Sequence, residues 1–459
     1  MEANHPVCNI KIINDLHVTV PASARFITTY VLQEQGDWFE EEIRFLRTII
    51  KPGMKIIDIG ANYGVYTLTF SKLTGNTGKV WAFEPTAETA NCLRNSIAEN
   101  TFTNIELIQA GLSNKTGVAE LFTCPNSEWN SLSRPATTET SSETVRLLTL
   151  DHCQKEYAWN NLDFLKLDAE GEELNILEAG KIFLDSESPL IMYEFKHNDK
   201  VNLSLIDAFR SSGYDSYRYI PGLNILAPFN PRGHVDGFLL NLFACKKDRA
   251  IMLESSGAMV TRQNHNAGIP DFEVINEHLN QFPYWETFRE NIILEESSAG
   301  PYLEILSLYI LAMSDSKIAS EKFNYLQAAL IRLAENLERG EERIERLSTY
   351  ARIAFAAGER VLGLTLLRII ISKYFNNLNF EIFGPFLPAA ARFEIIDPKS
   401  DVNAWLFSSV LEQYISMHAY STYFTQRESL PLLNRLEQLG YIDDEMLRRK
   451  RMIESNFPS

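Results

Sequence analysis

Strand-like and helix-like segments alternate through the first half of the chain, and this alternation constrains the fold more than any other feature. KIIDIG (55–60) is apolar and β-branched, and a helical pattern follows it to about Leu73. KVWAFE (79–84), NIELIQ (104–109), DFLKLD (163–168) and PLIMYEF (189–195) read as further strands. TAETANCLRNSIAEN (86–100), with Thr86 as N-cap, and EGEELNILEAG (170–180) read as helices between them. Alternation of this kind implies an α/β fold with parallel strands joined by crossover helices. GYDSYRYI (213–220) and GFLLNLFACKK (237–247) look like the closing strands of the same sheet.

Three segments interrupt or flank this pattern. VAELFTC (118–124) and TVRLLTLD (144–151) read as a hairpin. The polar stretch between them, PNSEWNSLSRPATTETSSE, is either a surface loop or a lid over a substrate cleft. Its Trp129 and Asn130 are candidates to touch an acceptor sugar. Upstream, GDWFEEEIRFLRTIIKPG (36–53) reads as an amphipathic helix stopped by Pro52-Gly53.

Around GAMVTRQNHNAGIPD the pattern fades, and beyond it the chain reads as helical to its end. Phe323, Leu326, Leu330, Leu333 and Leu337 recur at helical spacing. IERLSTYARIAFAAGERVLGLTLLRIIISKYF reads as two helices broken at Gly358, with Ala351, Ala354 and Gly363 small enough for close packing. No fixed period recurs three times, so a bundle and TPR-like helix pairs both stay open. The expected division is an α/β domain over 1–250 with an N-terminal extension 1–35, a linker over 251–270 and an all-α domain over 271–459.

Composition bounds the partners. The 459 residues suffice for two or three domains, and 45% hydrophobic with 22% charged residues is ordinary globular composition. A net charge of -17 and a pI near 5.1 disfavour nucleic acid. The five cysteines (Cys8, Cys92, Cys124, Cys153, Cys245) are dispersed without metal-ligand spacing, which reads as reduced thiols in a cytoplasmic setting. The opening MEANHPVCNI does not read as a signal peptide, and no apolar stretch approaches the roughly 20 residues of a membrane span.

The turn after the first strand, Gly60-Ala61-Asn62-Tyr63-Gly64, is the kind that receives a nucleotide. A dinucleotide fingerprint needs glycines where Asn62 and Val65 stand, and no phosphate-loop lysine follows. What remains is D-x-G-x-N-x-G beginning at Asp58, followed by a second strand ending in Glu84-Pro85. An acidic turn with a carboxylate placed for ribose hydroxyls suits a nucleoside carrying a cation, and S-adenosylmethionine is such a ligand.

These segments resemble the FkbM family of S-adenosylmethionine-dependent methyltransferases. PGMKIIDIGANYGVYTLTFSK, VWAFEPTAETANCLRNSIAEN, LIQAGLSNKTGVAELF, VRLLTLD and DFLKLDAEGEELNILEAG match its blocks in order, over about residues 25 to 250. The helical C-terminal half lies outside the resemblance. The resemblance implies a class I methyltransferase (Rossmann-like) fold with a mostly parallel seven-stranded sheet, and O-methylation of hydroxyls on sugars, glycans or polyketides.

The candidate donor-binding residues are Asp58, Gly60, Ala61, Asn62, Gly64, Tyr66 and Thr67 around the first turn, Glu84 and Pro85 after the second strand, and Gly111, Leu112 and Asp168 further on. A sugar hydroxyl loses its proton during methyl transfer, so a base is expected. Candidates are Asp168 and Glu170 after the fourth strand, and Glu194 and His197 after the fifth. Glu170 could instead cap the next helix, and Lys166 could pair with an acid inside the fold. Asp168, Glu170 and Glu194 are oxygen ligands of a kind that suits Mg²⁺, but no spacing demands it and no metal is expected.

Two other readings compete. A nucleic-acid amino-methyltransferase needs a Pro-Pro-aromatic motif where Asp168-Ala169-Glu170-Gly171 stands, and a cytosine C5 enzyme needs Pro-Cys where this chain has Cys124-Pro125. A non-catalytic scaffold with a helical interaction module is the alternative to an enzyme. The expected partner is a hydroxylated small molecule or glycan. The helical half is left with three open roles: recruiting a protein, self-associating, or covering the acceptor cleft.

Overall fold

The computed structural model describes residues 5–124, 141–197, 200–262, 273–289, 300–398 and 401–458. Trp129, Asn130 and most of the polar insert therefore lie outside the described residues. The chain divides into two compact units. The first comprises Met1–Tyr219, Pro228–Gly233 and Leu239–Ser256; the second comprises Ile220–Ala227, His234–Phe238 and Gly257–Ser459.

The main sheet has eight strands: β1 (Lys55–Ile59), β2 (Lys79–Phe83), β3 (Ile105–Ile108), β4 (Phe164–Leu167), β5 (Leu190–Glu194), β6 (Asp215–Ile220), β7 (Ile225–Pro228) and β8 (Asn241–Cys245). Their order across the sheet is β3-β2-β1-β4-β5-β8-β6-β7. β1 to β5 run parallel, and β8 lies antiparallel between β5 and β6. This is the class I methyltransferase order with one strand more than the seven expected. The added strand, β7, follows the turn at Pro221–Asn224 and lies at the edge.

β1 and β4 are apolar along almost their whole length because helices cover both faces of a parallel sheet. The exceptions are Lys55 at the start of β1, and Asp58 and Lys166, which are partners in the β1–β4 register. The strand order reverses at β1 and β4, which opens a crevice beyond their C-terminal ends.

The local elements follow their sequence signals with three differences. The hairpin forms between Gly117–Thr123 and Ser141–Leu148. The amphipathic helix spans only Glu42–Ile49. Thr86 occupies the N-cap position of the helix Ala87–Glu99, but its hydroxyl donates to Glu84 and not to the helix. Part of the expected linker is helical, over Lys247–Ser255, and residues 263–272 lie outside the described residues.

The second unit is helical apart from short extended segments. Its paired helices include Gly300–Met313 with Ala319–Glu338, and Ile344–Ala356 with Arg360–Tyr374. The break at Gly358 has φ +78°. Its core centres on Trp405, which stacks on Tyr284 and meets Phe288, Phe386 and Phe393. Among the described residues no helix is long and apolar enough to cross a membrane.

Candidate active site

Two tight turns build the site, one after β1 and one after β4. The β1 turn carries positive φ at Gly60 (76°), Asn62 (49°) and Gly64 (92°). Every N–H in it has an acceptor within the protein. Gly60 and Ala61 donate to the Phe83 carbonyl, Gly64 to Ala61, Asn62 to the Glu84 carboxylate and Tyr63 to the Asn62 side chain. No amide nest is left for a pyrophosphate.

The turn's glycines meet protein. A Cβ on Gly60 would lie 1.8 Å from the Asp168 carbonyl oxygen, and one on Gly64 would lie 2.2 Å from a Leu93 methyl. Gly60 is thus the point where the two turns touch.

Two buried carboxylates, Glu84 and Asp58, flank the β1 turn. Glu84 is 6% exposed. Its Oε1 accepts from the Thr86 N–H (2.9 Å) and hydroxyl (2.6 Å), and its Oε2 from the Asn62 N–H (3.0 Å). A carboxylate has about four acceptor positions, so roughly one remains, on Oε2. Asp58 is fully buried. Its Oδ2 accepts from the Thr67 hydroxyl (2.5 Å), while its Oδ1 has no partner. Burial raises the proton affinity of both groups, against opposing hydrogen bonds and, at Asp58, the Lys166 charge.

Pro85 lies against Gly111, where an added Cβ would also meet Leu147. Leu112 is buried and pairs with Leu148. The Tyr66 hydroxyl donates to Glu40 (2.5 Å). The Lys166 ammonium stands 5.2 Å from the Tyr66 ring centroid and pairs with Asp168 Oδ2 at 2.6 Å. Burial works against the Lys166 charge, but Asp168, Asp58 and Glu40 outweigh it and hold its pKa above the usual value.

Beyond β4, Glu170 has φ +47°, uncommon for a residue with a side chain. Burial, then the charges of Asp168, Glu194 and Glu173, push its pKa up to about 10. The helix Glu173–Glu178 has no side-chain cap, and the Glu173 carboxylate instead accepts from the Ala169 and Gly171 N–H groups of the turn before it. Glu194 ends β5 opposite Asn241. The backbone of His197 pairs with Lys200 in a short antiparallel ladder, and its side chain lies outside the described residues.

Glu40 and Glu42 escaped the sequence reading. Burial and Glu40 push Glu42 up to about 8. Their signal was available: Glu42, Phe45 and Leu46 share one stripe at i, i+3 and i+4, so the glutamate falls on a buried helix face.

Among the described residues, one group of His, Cys, Asp and Glu has ligand atoms all within 4.8 Å of one another: His234, Asp236 and Glu359, in the second unit. Asp168, Glu170 and Glu194 do not converge in this way. All five cysteines are free.

Residues 58–216 match the family model described as the methyltransferase FkbM domain. The chain carries an FkbM methyltransferase domain. Its solved structural relatives include a SAM-dependent methyltransferase from Aquifex aeolicus (16% identity, covering 46% of this chain and 90% of that one, TM-score 0.26). An rRNA methylase from Streptococcus thermophilus matches at 13% identity, covering 45% and 93%, TM-score 0.26. A SAM-dependent O-methyltransferase from Thermotoga maritima matches at 14% identity, covering 45% and 64%, TM-score 0.26. At such scores the fold assignment rests on the chain's own strand order. No curated protein matches the chain.

The FkbM domain is a SAM-dependent methyltransferase. The residues present fit that donor: Asp58 Oδ1 is an orphaned buried acceptor, and Glu84 Oε2 keeps an acceptor position for a hydroxyl.

Proposed function

We propose that the FkbM domain methylates a hydroxyl of a sugar, glycan or related natural product. The observation that carries the reading is the carboxylate group beyond β4 and β5, Asp168 with Glu170 and Glu194, beside the donor turn. When bound, S-adenosylmethionine supplies an electrophilic methyl group on a positively charged sulfur. Glu84 is the ribose seat, and Asp58 faces the donor's positive end.

A sugar hydroxyl is a weak acid, and its proton must leave as its oxygen becomes a nucleophile. Glu170 and Glu194 offer carboxylate oxygens to receive that proton. Burial, and then the like charges of Asp168, Glu194 and Glu173, make Glu170 a strong base in its ionised form, and the Lys166 charge favours that form. Lys166, closed on Asp168 at 2.6 Å, holds that carboxylate in place beside Glu170.

Transfer of labelled methyl groups to extracted glycans tests the reading. Base-stable label on carbohydrate hydroxyls is expected, with Glu170→Gln or Glu194→Gln lowering kcat by about 10²–10⁴-fold and leaving donor affinity unchanged. Label on nitrogen, or no transfer to any glycan fraction, would sink it. The scaffold alternative is not favoured, and it requires that no turnover occur.

A further inference from the structure

We propose that His234, Asp236 and Glu359 bind a divalent metal ion of the zinc class, one that accepts mixed nitrogen and oxygen ligands. All three residues lie in the second unit and outside residues 58–216, so the site is separate from methyl transfer.

Three observations carry it. The first is convergence. His234 and Asp236 stand two residues apart in the stretch between β7 and β8, and Glu359 immediately precedes the helix Arg360–Tyr374. Their ligand atoms all lie within 4.8 Å of one another. Two ligands bonded to one ion at about 2.1 Å lie at most about 4.2 Å apart, so a small closure completes the set. The His234 side chain, 73% exposed, can supply it.

The second observation is a separation. His234 Nε2 stands 3.8 Å from Glu359 Oε2. That is longer than a hydrogen bond, and it matches the roughly 3–4 Å between neighbouring ligands of one ion. Among the described residues no hydrogen bond reaches the His234 ring, which leaves its nitrogens for a metal.

The third observation is Asp236. It is 5% exposed, and two backbone donors fix its carboxylate: the Phe238 N–H on Oδ1 (2.9 Å) and the Val361 N–H on Oδ2 (2.7 Å). A carboxylate has about four acceptor positions, so roughly two remain. Among the described residues no lysine or arginine pairs with it, and a buried carboxylate calls for a cation. The chain around it is braced as well. The Arg360 guanidinium lies 4.2 Å from the Phe238 ring centroid, and the Tyr420 hydroxyl donates to the Phe238 carbonyl (3.1 Å). Such outer contacts are what orient a metal ligand.

The positive end of the helix Arg360–Tyr374 by itself attracts carboxylates, and Asp236 caps it through Val361. Capping does not call for an imidazole among them. One imidazole with two carboxylates favours Zn²⁺ and its neighbours over Mg²⁺ or Ca²⁺, which take oxygen ligands. The open side at His234 admits water to complete the coordination. Bound there, the ion clamps residues 234–238 to the start of the helix.

The test titrates the full chain, cleared of metal with a chelator and then of the chelator, with Zn²⁺ by calorimetry. One ion per chain is expected, with a Kd of about 10 µM or tighter and Mg²⁺ binding at least about tenfold weaker. His234→Ala and, separately, Glu359→Gln are expected to weaken Zn²⁺ binding about tenfold or more. His234 is exposed and its ring takes no hydrogen bond among the described residues, so its removal spares the fold, and melting curves of both variants verify this. Co²⁺ serves as a second probe: the visible absorption it gains on binding is expected to be lost in His234→Ala. Zn²⁺ binding that neither variant weakens puts the ion elsewhere and overturns the proposal, as does the absence of binding at about 1 mM. Mg²⁺ binding as tight as Zn²⁺ would also overturn it, because the imidazole would then play no part.

Discussion

Glu84 ties the β1 turn to Thr86 and is the proposed ribose seat. Glu84→Ala strips an acceptor from two N–H groups and a hydroxyl, all in buried or half-buried positions. A loss of roughly 1–3 kcal/mol in denaturant unfolding is expected, together with loss of S-adenosylmethionine binding by calorimetry. Unchanged donor affinity would remove Glu84 from the site. Gly60→Ala is expected to be worse, because φ +76° and the contact with the Asp168 carbonyl act together. About 2–3 kcal/mol or more should be lost, since backbone cannot step aside as a side-chain tip can. Glu170 gives a pH signature. Its folded pKa of about 10 lies far above the roughly 4.3 of an unfolded glutamate. Between these values the folded state binds more protons, so this group's contribution makes stability fall as pH rises. Glu170→Gln removes that slope. The variant should gain about 1–3 kcal/mol at pH 8, with the gain shrinking toward pH 5, and a wild-type-like slope would refute the assignment.

At the scale of elements, close packing decides what short segments do. Gly222 donates its N–H to the Ala356 carbonyl at the end of the helix Ile344–Ala356. A Cβ there would lie 2.4 Å from the Ala356 Cβ and 2.9 Å from its carbonyl oxygen. Gly222→Ala should therefore destabilise the second unit by about 1–3 kcal/mol in a thermal melt. Helix Arg360–Tyr374 shows the softer case: Gly363 faces the outer edge of the Phe355 ring, which can turn aside. The strands β1 to β5 were legible because burial on both faces demands unbroken apolar runs. The helix Glu42–Ile49 was legible in existence but not in extent, because residues before Glu42 answer to the Glu40–Tyr66 contact and the Asp37–Arg47 ion pair instead of to helix propensity. Thr86 carries an N-cap signature, yet its hydroxyl serves Glu84, a competitor that local sequence rules do not weigh.

For the whole molecule, the relevant distinction is between the unit that holds the site residues and the unit that does not. A ligand stabilises the body that binds it, by about 2.7 kcal/mol at about 100 times Kd. Excess S-adenosylmethionine should raise the calorimetric transition belonging to the first unit; if no transition moves, donor binding by that unit fails. The second unit holds its own aromatic core around Trp405 and its own buried ion pairs, such as Arg352 with Glu394.

The sequence by itself determined the α/β class, the order of β1 to β5, the helical second half and the D-x-G-x-N-x-G turn with Glu84 after it. Each of these is local or periodic, and periodicity survives in one dimension because burial repeats along the chain. Only the tertiary structure decided which groups meet. It put Asp58 beside Lys166, the Gly60 turn against Asp168, Glu40 on Tyr66, and Asn241 opposite Glu194 near Glu42. Those meetings depend on strand order and register between distant segments. Their altered proton affinities arise from shared burial and repulsion, which no single segment carries.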